Sequence, residues 1–135
     1  TLHADFVTGQ TSCGPFSASH NAFQFNDSSH IQQSFTIPAD MTSPSFNLTF
    51  MLDFNAPFVH GGQNYIVAEV FDQDGTPLRY FRYDGTMANL ACERKDLDIT
   101  RDLAGHTILV RFTTQRRDAT AFIRVWGVAF FQGPL

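Results

Sequence analysis

Apolar and polar residues alternate with a period of two along most of this chain. Phe46, Leu48, Phe50, Leu52 and Phe54 are separated by Asn47, Thr49, Met51 and Asp53, the mark of a strand with one buried face. The same spacing sets Ile31, Phe35 and Ile37 against Gln32, Ser34 and Thr36. It recurs where Ile66, Ala68 and Val70 alternate with Tyr65, Val67, Glu69 and Phe71, and where Ile108, Val110 and Phe112 alternate with Leu109, Arg111 and Thr113. Ile123 and Val125, set among Phe122, Arg124 and Trp126, complete the series. Successive side chains of a strand point to opposite faces, so each run predicts a strand that lays one face on a core. No segment sustains a helical period, and Thr86 to Cys92 fits either a short helical turn or an irregular strand.

Turn-forming residues punctuate these runs. Pro38-Ala39-Asp40 with Ser43-Pro44 is one break, Asn55-Ala56-Pro57 leading to Gly61-Gly62 a longer one, and Ala104-Gly105-His106 a third. Asp74-Gly75 between apolar strands predicts a tight hairpin, because glycine adopts positive φ without steric cost. Strands so spaced and so punctuated predict an all-β sandwich. With 135 residues, no linker and no internal repeat, the chain reads as a single domain over residues 1–135.

Composition narrows the function. Apolar residues make up 43%, too many for a disordered chain. No apolar run approaches the roughly 18 residues of a membrane span, so a soluble domain without membrane insertion is expected. A net charge of −4 leaves no basic footprint for nucleic acid. Phe is abundant, at 15 residues. The nine cations are all Arg except Lys95, and Arg recognises oxygen-rich ligands in a planar, bidentate way. That composition tilts the expected ligand toward acidic or bacterial-surface glycans.

Two cysteines, Cys13 and Cys92, permit one disulfide in an oxidising compartment, or two buried thiols. The chain begins at Thr1 without an apolar leader and reads as a mature protein or an excised domain. Its end, Phe131-Gln132-Gly133-Pro134-Leu135, resembles the recognition core of a viral 3C-type protease site and carries no functional weight.

Several stretches resemble the galactose-binding-domain-like jelly rolls, a group similar to many carbohydrate-binding modules. They are His30 to Pro38, Phe71 to Leu78, Asp102 to Phe112 and the closing run Ala121 to Phe130. The resemblance covers roughly residues 20 to 130. It implies a jelly-roll β-sandwich of two antiparallel sheets and a secreted or surface-exposed parent protein. Where such modules commonly carry an acidic pair before the last core valine, this chain has Trp126-Gly127 before Val128, which argues against their structural calcium. The jelly roll of complement C1q and tumour necrosis factor is a second likeness, also rich in Phe.

In a jelly roll, the strands around residues 30–37, 64–72, 78–84 and 107–114 share one sheet. Its outward face would carry Gln32, Ser34, Thr36, Tyr65, Glu69 and Arg111, with either Tyr80 and Arg82 or Arg79 and Tyr83. The first pair is preferred. Rings stack on the C–H face of a pyranose, and charged groups hydrogen-bond its hydroxyls. Tyr65, Glu69, Tyr80, Arg82 and Arg111 are therefore candidate ligand-binding residues. Val67, Leu109 and Phe71 on the same face are too apolar for bare solvent and suit a ligand or a subunit interface. The other sheet would expose Asn47, Thr49, Met51, Asp53, Arg124 and Trp126. There, Arg124 and Trp126 form a second candidate platform, or a cation–π contact at the sandwich edge.

Catalytic and metal templates find no match. There is no Gly-x-Ser-x-Gly elbow and no phosphate loop, and Glu69 and Glu93 are the only glutamates. His3, His20, His30, His60 and His106 lack zinc-ligand spacing. Asp72-Gln73-Asp74-Gly75 mimics the start of a calcium loop but lacks its remaining ligands. No cofactor is expected, and a structural calcium on Asp5 or Asp118 stays open. Asn26-Asp27-Ser28 and Asn47-Leu48-Thr49 match the N-glycosylation pattern. The chain thus reads as a non-enzymatic, lectin-like or carbohydrate-binding-module domain whose partner is a glycan. The rival reading is an oligomerising adhesion module, a C1q-like head or fibre tip.

Overall fold

A computed structural model describes residues 10–11, 14–15, 18–20, 27–41, 45–118 and 120–132, with only the backbone described for those up to residue 29 and for residues 45, 92, 126, 127, 131 and 132. Ten strands follow in chain order. They are β1 (Gln10–Thr11), β2 (Gly14–Pro15), β3 (Ala18–His20), β4 (Asp27–Thr36) and β5 (Ser45–Asn55), then β6 (Tyr65–Phe71), β7 (Pro77–Asp84), β8 (Leu90–Thr100), β9 (Thr107–Arg116) and β10 (Phe122–Gln132). A 3₁₀ segment over Phe58–Gln63 joins β5 to β6.

β1 and β2 pair with each other, and the remaining strands form two antiparallel sheets. One has the order β3-β10-β5-β8 and the other β4-β9-β6-β7. From β3 to β6 the chain changes sheet at every strand, runs β6 to β7 as a hairpin, and then alternates again. This is the jelly roll, and its second sheet holds the four strands expected from the sequence.

The core is the inward parity of both sheets. Phe46, Leu48, Phe50, Leu52 and Phe54 of β5 are all buried, facing Ile66, Ala68 and Val70 of β6 and Ile108, Val110 and Phe112 of β9. Aromatic edges meet faces across the gap: Phe50 packs on Phe112 at 5.1 Å and Phe54 on Tyr83 at 5.2 Å between ring centroids. Phe81 also packs on Phe50, at 5.8 Å. Phe81 and Tyr83 therefore point inward, which settles the parity of β7 and turns Tyr80 and Arg82 outward.

The Asp74-Gly75 hairpin forms as its residues require. Gly75 has φ 87°, its N–H donates to the Asp72 carbonyl, and the Asp74 carboxylate accepts from the Thr76 N–H.

Thr86 to Cys92, which by sequence fits either a short helical turn or an irregular strand, starts as a turn and enters β8 at Leu90, an 11-residue strand paired with β5. The charges of Glu93-Arg94-Lys95-Asp96 hide its alternation, although Leu97 and Ile99 are core residues. Asn47 and Thr49, expected to be exposed, are buried. They sit on the central strand between β10 and β8, and a burial this deep means that the outer face over β5 is covered. Cys13 and the Cys92 side chain, the expected disulfide partners, lie outside the described residues, as does Asp5.

Candidate functional site

The outer face of the β4-β9-β6-β7 sheet gathers five of the seven candidate ligand-binding residues. Strand register sets them in rungs. Gln32, Arg111, Glu69 and Tyr80 lie side by side across β4, β9, β6 and β7. The next rung holds His30, Thr113, Val67 and Arg82, and beyond it Tyr65 lies between Gln115 and Asp84. On the opposite flank Ser34, Leu109 and Phe71 form a fourth row. Neighbours across a strand pair stand near enough to interact, so a rung is a unit of recognition as well as of stability.

Arg111 donates through Nη2 to Glu69 Oε1 at 3.3 Å, and its guanidinium carbon stands 4.9 Å from the Phe71 ring centroid. Arg82 donates through Nε to Asp84 Oδ2 at 3.2 Å and through Nη2 to the Gly62 carbonyl at 3.0 Å. Its guanidinium also lies over the Tyr65 ring. The two arginines thus shield the apolar patch anticipated from the sequence. Val67 is buried, and Phe71 and Leu109 are half-buried. Tyr80 differs, with 60% of its surface exposed.

Asp84 is a member that sequence reasoning missed. It follows Arg82 by two residues, so strand periodicity places the two on one face, and that spacing was the available signal. The Thr86 hydroxyl holds the Asp84 carboxyl below its ordinary range, against the opposing push of burial, with help from the Thr86 N–H and Arg82.

Beside this face, the loops at one end of the sandwich form a second polar cluster. His60 Nδ1 lies 2.5 Å from Asp118 Oδ1, and Asn64 Nδ2 donates to Asp118 Oδ2 at 2.8 Å. Asn64 Oδ1 accepts from the backbone N–H groups of Arg117 and Asp118, so one buried amide knits the two loops together. Burial pushes the Asp118 carboxyl up, but the hydrogen bonds from Asn64 and His60 and the nearby charges outweigh it and hold the group low. Phe58 and Val59 stand exposed at this end, beside an open hollow of about 440 Å³ that Phe58 lines with Asn55, Pro57, Met87, Asn89 and Thr120. Among the described residues, no three His, Cys, Asp or Glu side chains gather as metal ligands would.

Arg124 and Trp126 belong to the other sheet and do not join this face. Arg124 lies 3.5 Å from Asp53 and covers the Phe122 ring at 4.5 Å, a cation–π contact with a ring other than the Trp126 of the expected pair. Burial pushes the Asp53 carboxyl up, against the pull of Arg124. The Trp126 side chain lies outside the described residues. Among the described residues, no helix is long and apolar enough to cross a membrane.

Neither a family sequence profile nor a curated protein sequence matches the chain. Solved structures do match its fold. A family 61 carbohydrate-binding module, solved in complex with β-1,4-galactotriose, superposes with a TM-score of 0.58 at 14% identity, over 89% of this chain and 72% of that one. An exo-β-agarase matches at 0.60 and 10% identity, over 99% of this chain but only 23% of the agarase. A family 16 carbohydrate-binding module matches at 0.50 and 11% identity, over 85% of this chain and 75% of the module. This chain therefore has the jelly-roll β-sandwich fold that carbohydrate-binding modules also use.

Proposed function

We propose that this domain is a non-catalytic carbohydrate-binding module of a secreted or surface protein, and that it binds glycan on the outer face of β4-β9-β6-β7. The observation that carries the reading is the exposed Tyr80 ring standing one rung position from the Glu69–Arg111 pair. Tyr80 would stack on a sugar ring, while Glu69 accepts from hydroxyls and Arg111 donates to them. Tyr65 takes a lesser part, because Arg82 covers one of its faces. Arg82 itself holds the loop and the ring in place.

Both guanidiniums on the face are already matched by carboxylates, Arg111 by Glu69 and Arg82 by Asp84. A face with balanced charge suits neutral sugars better than the acidic glycans that Arg content alone suggests. The likeness to a module solved with β-1,4-galactotriose supports trying galactose oligosaccharides first. The rival reading buries this same face between subunits. It is disfavoured by the guanidiniums lying over Phe71 and Tyr65, which leave little bare apolar surface to bury.

A glycan array, followed by calorimetry on the best neutral ligand, tests the proposal. Wild type should bind a neutral oligosaccharide, and Tyr80→Ala and Arg111→Ala should each lose most of the affinity. Failure of every glycan to bind would overturn it.

A further inference from the structure

We propose that the open hollow at the loop end of the sandwich is a second ligand site, separate from the sheet face, and that it takes a neutral pyranose sugar. Three connections build its walls. Asn55, Pro57 and Phe58 stand where β5 ends and the 3₁₀ segment begins, Met87 and Asn89 lie between β7 and β8, and Thr120 lies between β9 and β10.

The walls are tied in place by hydrogen bonds. Asn89 Oδ1 accepts from the Ala56 N–H at 3.0 Å, which joins the β7–β8 connection to the end of β5. The Tyr83 hydroxyl donates to the Ala88 carbonyl, and the Met87 N–H donates to the Asp84 carbonyl at 3.0 Å. The Ala121 N–H donates to the Asp118 carbonyl at 3.0 Å and closes the turn that carries Thr120. A site held in shape before its ligand arrives loses less entropy on binding. The bond to Ala56 also orients the Asn89 amide: with Oδ1 taken, Nδ2 is the end that offers donors to a ligand.

Apolar exposure marks the same place. Among the described residues four large apolar or aromatic side chains are exposed; one is Tyr80, and the other three, Phe58, Val59 and Met87, gather at this end. Phe58 and Met87 line the hollow itself, with 73% and 42% of their surfaces bare. Apolar side chains exposed as a group mark binding sites, whereas single ones are ordinary surface.

The chemistry of the lining selects the ligand. None of the described residues that line the hollow is charged, so a phosphate, a carboxylate or a metal ion would enter without a counter-charge. A wholly apolar ligand would strip water from the amides of Asn55 and Asn89 and from the Thr120 hydroxyl without replacing its hydrogen bonds. A neutral pyranose meets both demands. Its C–H face lies on the Phe58 ring, and its hydroxyls both donate to and accept from amide and hydroxyl groups. The hollow's volume of about 440 Å³ is that of a small-molecule pocket. The sheet face differs, since Glu69, Arg82, Asp84 and Arg111 make it a charged surface.

Nuclear magnetic resonance titration of the labelled domain with glucose, galactose, mannose and xylose, each to millimolar concentration, tests the site. At least one sugar should shift the Asn89 side-chain amide and the backbone amides of residues 87–89 and 120 saturably, and glucuronic acid should not. Phe58→Ala replaces an exposed ring and should weaken that titration about tenfold at an unchanged melting temperature. Asn89→Asp keeps the acceptor for the Ala56 N–H but removes the Nδ2 donors, and should abolish the shifts at residues 87, 88 and 120. Tyr80→Ala should titrate at these amides as wild type does, so the hollow is read whether or not the sheet face binds glycan. Absence of saturable shifts here with every sugar would overturn the proposal. So would shifts that survive both hollow variants, shifts lost in Tyr80→Ala, or an equal response to glucuronic acid.

Discussion

Arg82 lies over Tyr65 with its guanidinium carbon 4.4 Å from the ring centroid, and the same guanidinium holds the carbonyl of Gly62. One side chain of β7 thereby fixes both a ring on β6 and the 3₁₀ segment that precedes it. Replacing Arg82 by Ala removes the cation–π contact, the hydrogen bond to Gly62 and the pair with Asp84. The group is partly exposed, so the expected cost is about 1–2 kcal/mol. Chemical denaturation measures it, and Arg82→Lys should recover only a fraction, since lysine lacks the planar fork.

Tyr80 is exposed and packs little, so Tyr80→Ala should leave the melting temperature within about 1 °C of wild type, as surface substitutions usually do. On the proposed function, it should weaken glycan binding about tenfold, the loss expected of one stacking ring at roughly 1.4 kcal/mol. Tyr80→Phe should retain most of the affinity. Calorimetry of the three proteins against one neutral oligosaccharide checks both statements.

Phe50 sits at the centre of the core, in ring contact with Phe112 and Phe81. Truncating it to Ala should destabilise the domain by about 3–5 kcal/mol. For a domain of this size that is a large share of the total stability, and denaturant midpoints will show it.

Gly85 tolerates no side chain. A Cβ there would stand 2.5 Å from the carbonyl oxygen of Gly61, which itself has φ +46°. The clash is with backbone and cannot be relieved by a rotamer, so Gly85→Ala should cost about 1–3 kcal/mol. Gly75→Ala meets no steric neighbour and is strained only through its φ of +87°, so it should cost less.

Asp84 and Asp118 both titrate below the ordinary carboxylate range in the folded chain. A carboxyl whose folded pKa is depressed contributes stability that is fully present above its unfolded pKa. That stability is lost as pH falls through the folded value. Melting temperature should therefore decline in acid, over the range below ordinary carboxylate titration. Asp118→Asn should lower the melting temperature at neutral pH and flatten that decline. An unchanged acid profile in the Asn variant would show that the His60–Asp118–Asn64 cluster does not act this way.

The sandwich was legible because its strongest strands write the period of two directly. Phe46 to Phe54 alternate without a fault, and all five apolar members of that run lie in the core. Membership of the second sheet was also legible, since jelly-roll connectivity and the turn signals leave few other arrangements. β8 was not. Among its described residues Leu97 and Ile99 are buried in the core and Leu90 packs partly against it, and the charges that protect an edge strand also erase its pattern.

The chain's own sequence determined the positions of its strongly alternating strands and the Asp74-Gly75 turn, because these depend on local sterics and on a two-residue period. Tertiary structure alone decided the parity of β7, where Phe81 and Tyr83 compete with Tyr80 and Arg82 and only the rings of Phe50 and Phe54 choose between them. It also decided which charges meet. Arg111 finds Glu69 across 42 positions and His60 finds Asp118 across 58, and no spacing rule reaches so far. Such contacts are set by strand register and loop closure, which exist only once the sheets have packed.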